Sequence, residues 1–133
     1  MVDLSIILPF HNEVNGVQEL LKRLYPVLSR LDLSYEVICI DDGSTDETYA
    51  ALCHARELDY RIKLIRMARN FGKEAALTCG LQIASGRAAI TMDSDLQHCL
   101  QRHPHDPSGQ WKKELAYSVS KMKNSLSAEF VAH

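Results

Sequence analysis

Residues 35–46 read YEVICIDDGSTD, and this stretch decides the fold. Tyr35 to Ile40 is an apolar run rich in β-branched residues, which predicts a buried strand. It stops at Asp41-Asp42-Gly43-Ser44-Thr45-Asp46, a cluster of turn and helix-cap residues. The strand therefore ends in carboxylates. Upstream, Leu4 to Phe10 (LSIILPF) is a nearly continuous apolar run that suits a strand buried on both faces of a parallel sheet. After the polar turn His11-Asn12-Glu13, Val17, Leu20, Leu21, Leu24 and Leu28 recur at helical spacing. Pro26 lacks an N–H and is expected to bend or end that helix.

Downstream the pattern repeats. Thr48 to Leu58 predicts a helix, Ile62 to Arg66 (IKLIR) a third strand, and Lys73 to Ala84 a further helix that Gly86 closes. Ala88 to Met92 (AAITM) predicts a fourth strand, delivering Asp93-Ser94-Asp95 at its carboxyl end. The order βαβαβαβ implies an α/β fold: a mostly parallel sheet with helices on both faces, Rossmann-like. Such sheets bind ligands at the carboxyl ends of their strands, and every polar cluster named above falls on that edge.

The 133 residues are 46% hydrophobic and 24% charged, the balance of one globular core. Fifteen basic against seventeen acidic residues give a formal charge of −2, so nothing draws the whole chain to nucleic acid or anionic lipid. Phosphate binding has to be local, and no nucleic-acid partner is expected. The four cysteines (Cys39, Cys53, Cys79, Cys99) are scattered, without a C-x-x-C pair, and no signal peptide precedes them. Reduced thiols and a cytoplasmic location are the expectation. No apolar run approaches the roughly 20 residues of a membrane-spanning helix.

Asp93 and Asp95 lie two apart at a strand end, where a turn brings both carboxylates toward one point, and Gln97 offers a third oxygen. Hard oxygen ligands of this kind suit Mg²⁺ or Mn²⁺, which leave their other positions to water and substrate phosphates. A lone D-x-D is a weak signal. Asp41, Asp42 and Glu13 add acidic groups to the same edge, and they would repel one another unless a cation or a ligand's donors sat among them. The plainer reading is helix capping by Asp42, Ser44, Thr45 or Asp46, and both roles can coexist. Arg66, Arg69 and Lys73, with Asn70 and Gly72 between, follow the third strand. Such cations, or backbone amides at the next helix's start, can hold a diphosphate; a solvated loop is the alternative. His98, His103, His105 and Cys99 fit no compact zinc spacing. No Walker loop, nucleophile elbow or G-x-G-x-x-G occurs.

In this order and with these gaps, LSIILPFHNE, YEVICIDDGSTDET, IKLIRMARNFGKEAALTCGLQIASG and AAITMDSDLQH resemble the family-2 inverting glycosyltransferases of GT-A fold. Within them the likeness is to polyprenyl-phosphate sugar transferases of the bactoprenol glucosyltransferase and dolichol-phosphate mannosyltransferase type. It covers about residues 3–98, and RNFGKEAALTCGL followed by DSDLQH is its most specific part. The resemblance implies that Pro9, His11 and Glu13 line a nucleotide-sugar pocket. Ile40, Asp41 and Asp42 would lie beside base and ribose, and Lys73 close to the donor. Met92, Asp93, Ser94 and Asp95 would meet ribose and diphosphate. It further implies that Asp93 and Asp95 are catalytic through a Mg²⁺ or Mn²⁺ ion held with Gln97.

The implied donor is a UDP- or GDP-linked sugar and the implied acceptor a polyprenyl phosphate of the cell envelope, in membrane-associated relatives. Ser94 departs mildly from the family's usual Ala. After His98 the departure is abrupt, since Cys99-Leu100-Gln101-Arg102 stands where relatives carry Pro-Pro-Glu. TGC-CTC-CAG-AGG encodes Cys-Leu-Gln-Arg and, read two bases later, gives CCT-CCA-GAG, which is Pro-Pro-Glu. Residues 1–98 are thus expected to form the nucleotide-sugar-binding domain, and 99–133 a divergent, out-of-frame and poorly ordered tail. The expected activity is nucleotide binding with impaired transfer. The rival expectation is a non-catalytic fragment that self-associates into a homo-oligomer through an uncovered sheet edge.

Overall fold

The computed structural model describes residues 2–30, 33–92 and 98–102. The elements are β1 (Leu4–Phe10), α1 (Val14–Arg30), β2 (Tyr35–Asp41), α2 (Thr48–Leu58), β3 (Ile62–Arg66), α3 (Lys73–Ile83), β4 (Ala88–Met92) and β5 (His98–Arg102). They form one sheet in the order β3-β2-β1-β4-β5. The first four strands are mutually parallel, as the alternating pattern predicts, and β5 runs antiparallel to β4. This fifth strand straddles the boundary expected at His98. The strand order reverses between β1 and β4, because α3 carries the chain back across the sheet, and that reversal opens a crevice at the carboxyl ends.

Every residue of β1 and β2 is buried, because helices cover both faces. On one face Ile6, Leu8, Phe10, Val37 and Cys39 pack under Val17, Leu20, Leu21, Leu24 and Leu28 of α1 and Leu52 of α2. On the other, Ile7, Ile38 and Ile40 meet Ala76 of α3. There α3 comes in close: a β-carbon on Gly80 would lie 2.5 Å from Ile7 Cγ2 and 2.8 Å from Ile40 Cδ1.

Of the bend or end expected at Pro26, the end does not occur, for α1 runs on to Arg30. Leu24 and Leu28, before and after the proline, are both fully buried. At about 2 kcal/mol per buried leucine, their burial offsets the cost of about 3 kcal/mol for an interior proline. The Pro26 carbonyl accepts a bond from Ser29 Oγ at 2.9 Å.

The amino-terminal end of the sheet is closed by a polar network that the apolar reading passes over. Glu36 Oε1 accepts Ser5 Oγ (2.7 Å) and the Ser85 N–H (2.7 Å), and Oε2 pairs with Lys63 Nζ at 2.7 Å. Ser5 Oγ in turn accepts the Gly86 N–H at 2.8 Å. Burial pushes the Glu36 carboxyl up, but Lys63, Ser85 and Ser5 outweigh it and hold it below the usual range. Burial raises the Cys39 thiol to about 12, so it packs as a neutral apolar group. Cys39, Cys53 and Cys79 are all free thiols. Among the described residues, no helix is long and apolar enough to cross a membrane.

Candidate functional site

The loops that follow β1, β2 and β3 meet at the carboxyl edge of the sheet. The β1 and β2 loops are stitched by Asn12, whose φ of 50° lies in the left-handed region that asparagine tolerates. Its N–H donates to Ser44 Oγ (2.9 Å), and its Oδ1 accepts the Thr45 N–H at 2.8 Å. The Glu13 N–H donates to Thr48 Oγ1 at 2.9 Å, while its carbonyl accepts the Gly16 and Val17 amides at the start of α1. Ahead of α2, Asp46 Oδ1 accepts both the hydroxyl and the N–H of Thr48, the latter at 2.9 Å, while Glu47 at the cap position makes no side-chain cap bond. The Thr48 hydroxyl bond holds the Asp46 carboxyl below its usual range.

Asp41 and Asp42 are both buried, yet their circumstances differ. Asp42 Oδ1 accepts the Phe71 N–H (2.9 Å) and Oδ2 the Gly72 N–H (3.0 Å), so this carboxylate grips the loop before α3. Two amides at the start of α3, where a diphosphate is one expected occupant, are thereby taken. His11 reinforces the grip. Its Nδ1 lies 2.8 Å from the Asp42 carbonyl, which only an Nδ1–H can donate to, leaving Nε2 to accept from Asn70 Nδ2 at 3.3 Å. Gly43, at φ +66°, packs so closely that a β-carbon would lie 2.3 Å from the Arg69 carbonyl carbon. Asp41 Oδ1 accepts the Ser44 N–H at 3.1 Å, but among the described residues its buried Oδ2 has no hydrogen-bond partner. One unsatisfied buried acceptor costs about 1 to 3 kcal/mol.

The structure brings His11 and Asp42 together with Asn70, Phe71 and Gly72, whereas Glu13 is tied to Thr48 and Asp41 to Ser44. Pro9 and Ile40 are cross-strand partners at the strand ends. The Ile40 side chain lies in the core under α3 and that of Met92 in the core under α1. Lys73 opens α3 and is exposed. The guanidinium of Arg66 stacks on Tyr49 (4.3 Å) and that of Arg69 on Phe71 (4.6 Å), which fixes both cations at this end of the sheet. Asp93, Ser94, Asp95 and Gln97 lie outside the described residues, as do His103 and His105. Among the described residues no group of three His, Cys, Asp or Glu side chains is placed to hold a metal ion. Asn12, Asn70 and Thr48 take part in these contacts without being assigned a site role by motif reading, although Asn12 and Asn70 stand in the polar turn and the basic loop.

This geometry defines a class: a Rossmann-like α/β domain with GT-A-like neighbours among solved structures, its acidic loops gathered at the carboxyl edge. The chain belongs to glycosyl transferase family 2, whose profile matches residues 5–102 and so runs through β5. It is 43% identical over 96 residues to an uncharacterized glycosyltransferase of Synechocystis sp., covering 72% of this chain and 30% of that protein. It is 34% identical over 134 residues to the dodecaprenyl-phosphate galacturonate synthase of Rhizobium johnstonii, covering 98% of this chain and 39% of that one. This second alignment continues past His98 into the stretch expected to diverge. The mannosyltransferase PcManGT from Pyrobaculum calidifontis, solved with GDP-Man and Mn²⁺, superposes with a TM-score of 0.61 at 26% identity, over 71% of this chain and 30% of that one. The chain spans 30 to 39% of the length of these two relatives.

Proposed function

We propose that this chain forms the nucleotide-sugar-binding part of a glycosyltransferase that passes a sugar, with inversion, from UDP or GDP to a polyprenyl phosphate. The observation that carries the reading is the convergence of three strand-end loops at Asp41-Asp42, where the buried Asp41 Oδ2 has no partner among the described residues. A donor group or cation supplied by a ligand would complete that acceptor. Pro9, His11, Glu13, Ile40, Asp41 and Asp42 border the base and ribose in this reading. Met92, Asp93, Ser94 and Asp95 border the ribose and diphosphate, with Lys73 close to the donor.

Asp93, Asp95 and Gln97 would hold Mg²⁺ or Mn²⁺, an all-oxygen donor set that fits a hard cation. When bound, the ion supplies positive charge to the leaving diphosphate. The remaining work falls to the chain. Arg66 and Arg69, each fixed by an aromatic ring, add cationic charge on the same edge. A phosphate monoester acceptor is largely ionised at neutral pH, its second pKa being about 6, so the site needs no strong base to deprotonate it.

Isothermal titration with UDP, GDP and their sugars, in Mn²⁺ and again in EDTA, tests the proposal. Binding heat that shrinks in EDTA is the expected result. No heat with any nucleotide at millimolar concentration would overturn the reading.

A further inference from the structure

Between α1 and α2 lies a cleft of about 320 Å³ whose lining residues all stand outside the strand-end loops. Leu21 of α1 and Ala51, Ala55 and Leu58 of α2 give it apolar walls. Ala51 and Ala55 are four apart and share a helix face, so two short side chains in successive turns leave the space open. Leu58 is 76% exposed, an apolar side chain that the fold itself does not cover.

The charges around these walls do not cancel. Asp59 is the one carboxylate in the lining, and it is already neutralised: its Oδ1 accepts the Arg61 N–H at 2.9 Å and pairs with Arg61 Nε at 3.3 Å. That guanidinium lies over the Tyr35 ring, 4.5 Å from its centre, which holds the pair in place. Tyr25 adds no negative charge, because burial pushes its hydroxyl up to about 12. Lys22 and His54 remain, both exposed and both lining the cleft. Among the described residues neither has a hydrogen-bond or ion-pair partner. The cleft is therefore apolar within and positively charged at its mouth, on a chain whose formal charge is −2.

Pockets for small ligands start at about 300 Å³ and combine apolar walls with a few polar groups that fix orientation, so this cleft matches one small molecule. We propose that it binds a small anionic amphiphile, with a carboxylate or phosphate head at Lys22 and His54 and a short aliphatic body between Leu21, Ala51, Ala55 and Leu58. The cleft is separate from the nucleotide site, and its occupancy does not depend on that reading.

Isothermal titration of the full chain with decanoate, kept below its micelle concentration, tests the proposal. Saturable binding of one molecule per chain is the expected result, with octanoate about tenfold weaker for its two lost methylenes. Decanol, which lacks the head charge, should bind about tenfold more weakly than decanoate. Acetate and inorganic phosphate, which lack the body, should give no heat. Decyl phosphate binding more tightly than decanoate would also support the proposal and assign the head as phosphate. Lys22→Gln, at an exposed position, should weaken decanoate about threefold. Ala55→Leu fills the space and should abolish binding. Should that variant fail to fold, Leu58→Asp places a carboxylate at an exposed position of the lining and should weaken decanoate more than tenfold. No saturable heat at millimolar decanoate, decanol binding as tightly as decanoate, or affinity unmoved by Leu58→Asp would each overturn the proposal. UDP and GDP titrated into the same sample report the strand-edge site on their own, so a failure there is told apart from a failure here.

Discussion

Glu36 and Asp41 lie on one strand, both buried, at opposite ends of it. The contrast between them separates what holds this domain together from what it offers a ligand. Glu36 has every need met: hydroxyls, an amide and the Lys63 ammonium surround its two oxygens. Asp41 has one amide on one oxygen and, among the described residues, nothing on the other. Buried polar groups are nearly always satisfied by the fold itself, so the exception marks where an outside group is expected to complete the structure. The carboxylate near the amino-terminal end of β2 is thus satisfied by the fold, whereas among the described residues the one at its carboxyl end keeps an oxygen without a donor.

The strongest way to break this division is at its glycines. Gly43→Ala combines a positive φ with a clash against backbone at 2.3 Å, and should cost about 3 kcal/mol in denaturant titration. Gly86→Ala, 2.6 Å from Ser5 Oγ and 2.7 Å from the Ser5 nitrogen, should cost nearly as much at the other end. Next comes Glu36→Gln, expected to lose about 2 kcal/mol, the range for hydrogen bonds to a charged group. Because the folded carboxyl sits below its unfolded value, its contribution is present at neutral pH. It fades as pH falls through the unfolded value toward the folded one. Thermal melts from pH 7 down to pH 2 should therefore show a shallower acid decline in Glu36→Gln than in the native chain.

Asp46→Ala removes the acceptor of the Thr48 amide at the start of α2 and should lower the midpoint slightly in the same titration. Asp41→Asn sharpens the comparison most although its effect on stability is least. Replacing the carboxyl with an amide of the same shape should leave stability within about 1 kcal/mol of native, while nucleotide binding falls. Calorimetry of melting and of binding on the same variant checks both halves. A large loss of stability there would show Asp41 to be structural after all.

The two ends were not equally legible. Strand and helix positions follow from LSIILPF, YEVICI, IKLIR and AAITM because runs buried on both faces leave an unbroken apolar signature, and the helix caps lie beside them. The continuation of α1 through Pro26 was not legible, since it depends on Leu28 finding a core made by other elements. The Glu36 network left a trace in hindsight: Ser5 and Glu36 are polar residues inside apolar strands and are register partners across β1 and β2. At the site, the acidic edge could be placed from strand ends alone. The partners of Asp42 could not, because Phe71 and Gly72 are 29 and 30 residues away and reach it only through the β2–β3 register.

The missing side chain at Gly80 has a reach longer than its size suggests. Contact with Ile7 and Ile40 sets the height at which α3 rides above the sheet, and the leading end of that helix, two turns away, carries Lys73. One added methyl would act as a shim under a lever, lifting the far tip from its seat while the strands beneath stay put. The thickness of a single carbon in the interior thus sets the gauge of the opening at the rim.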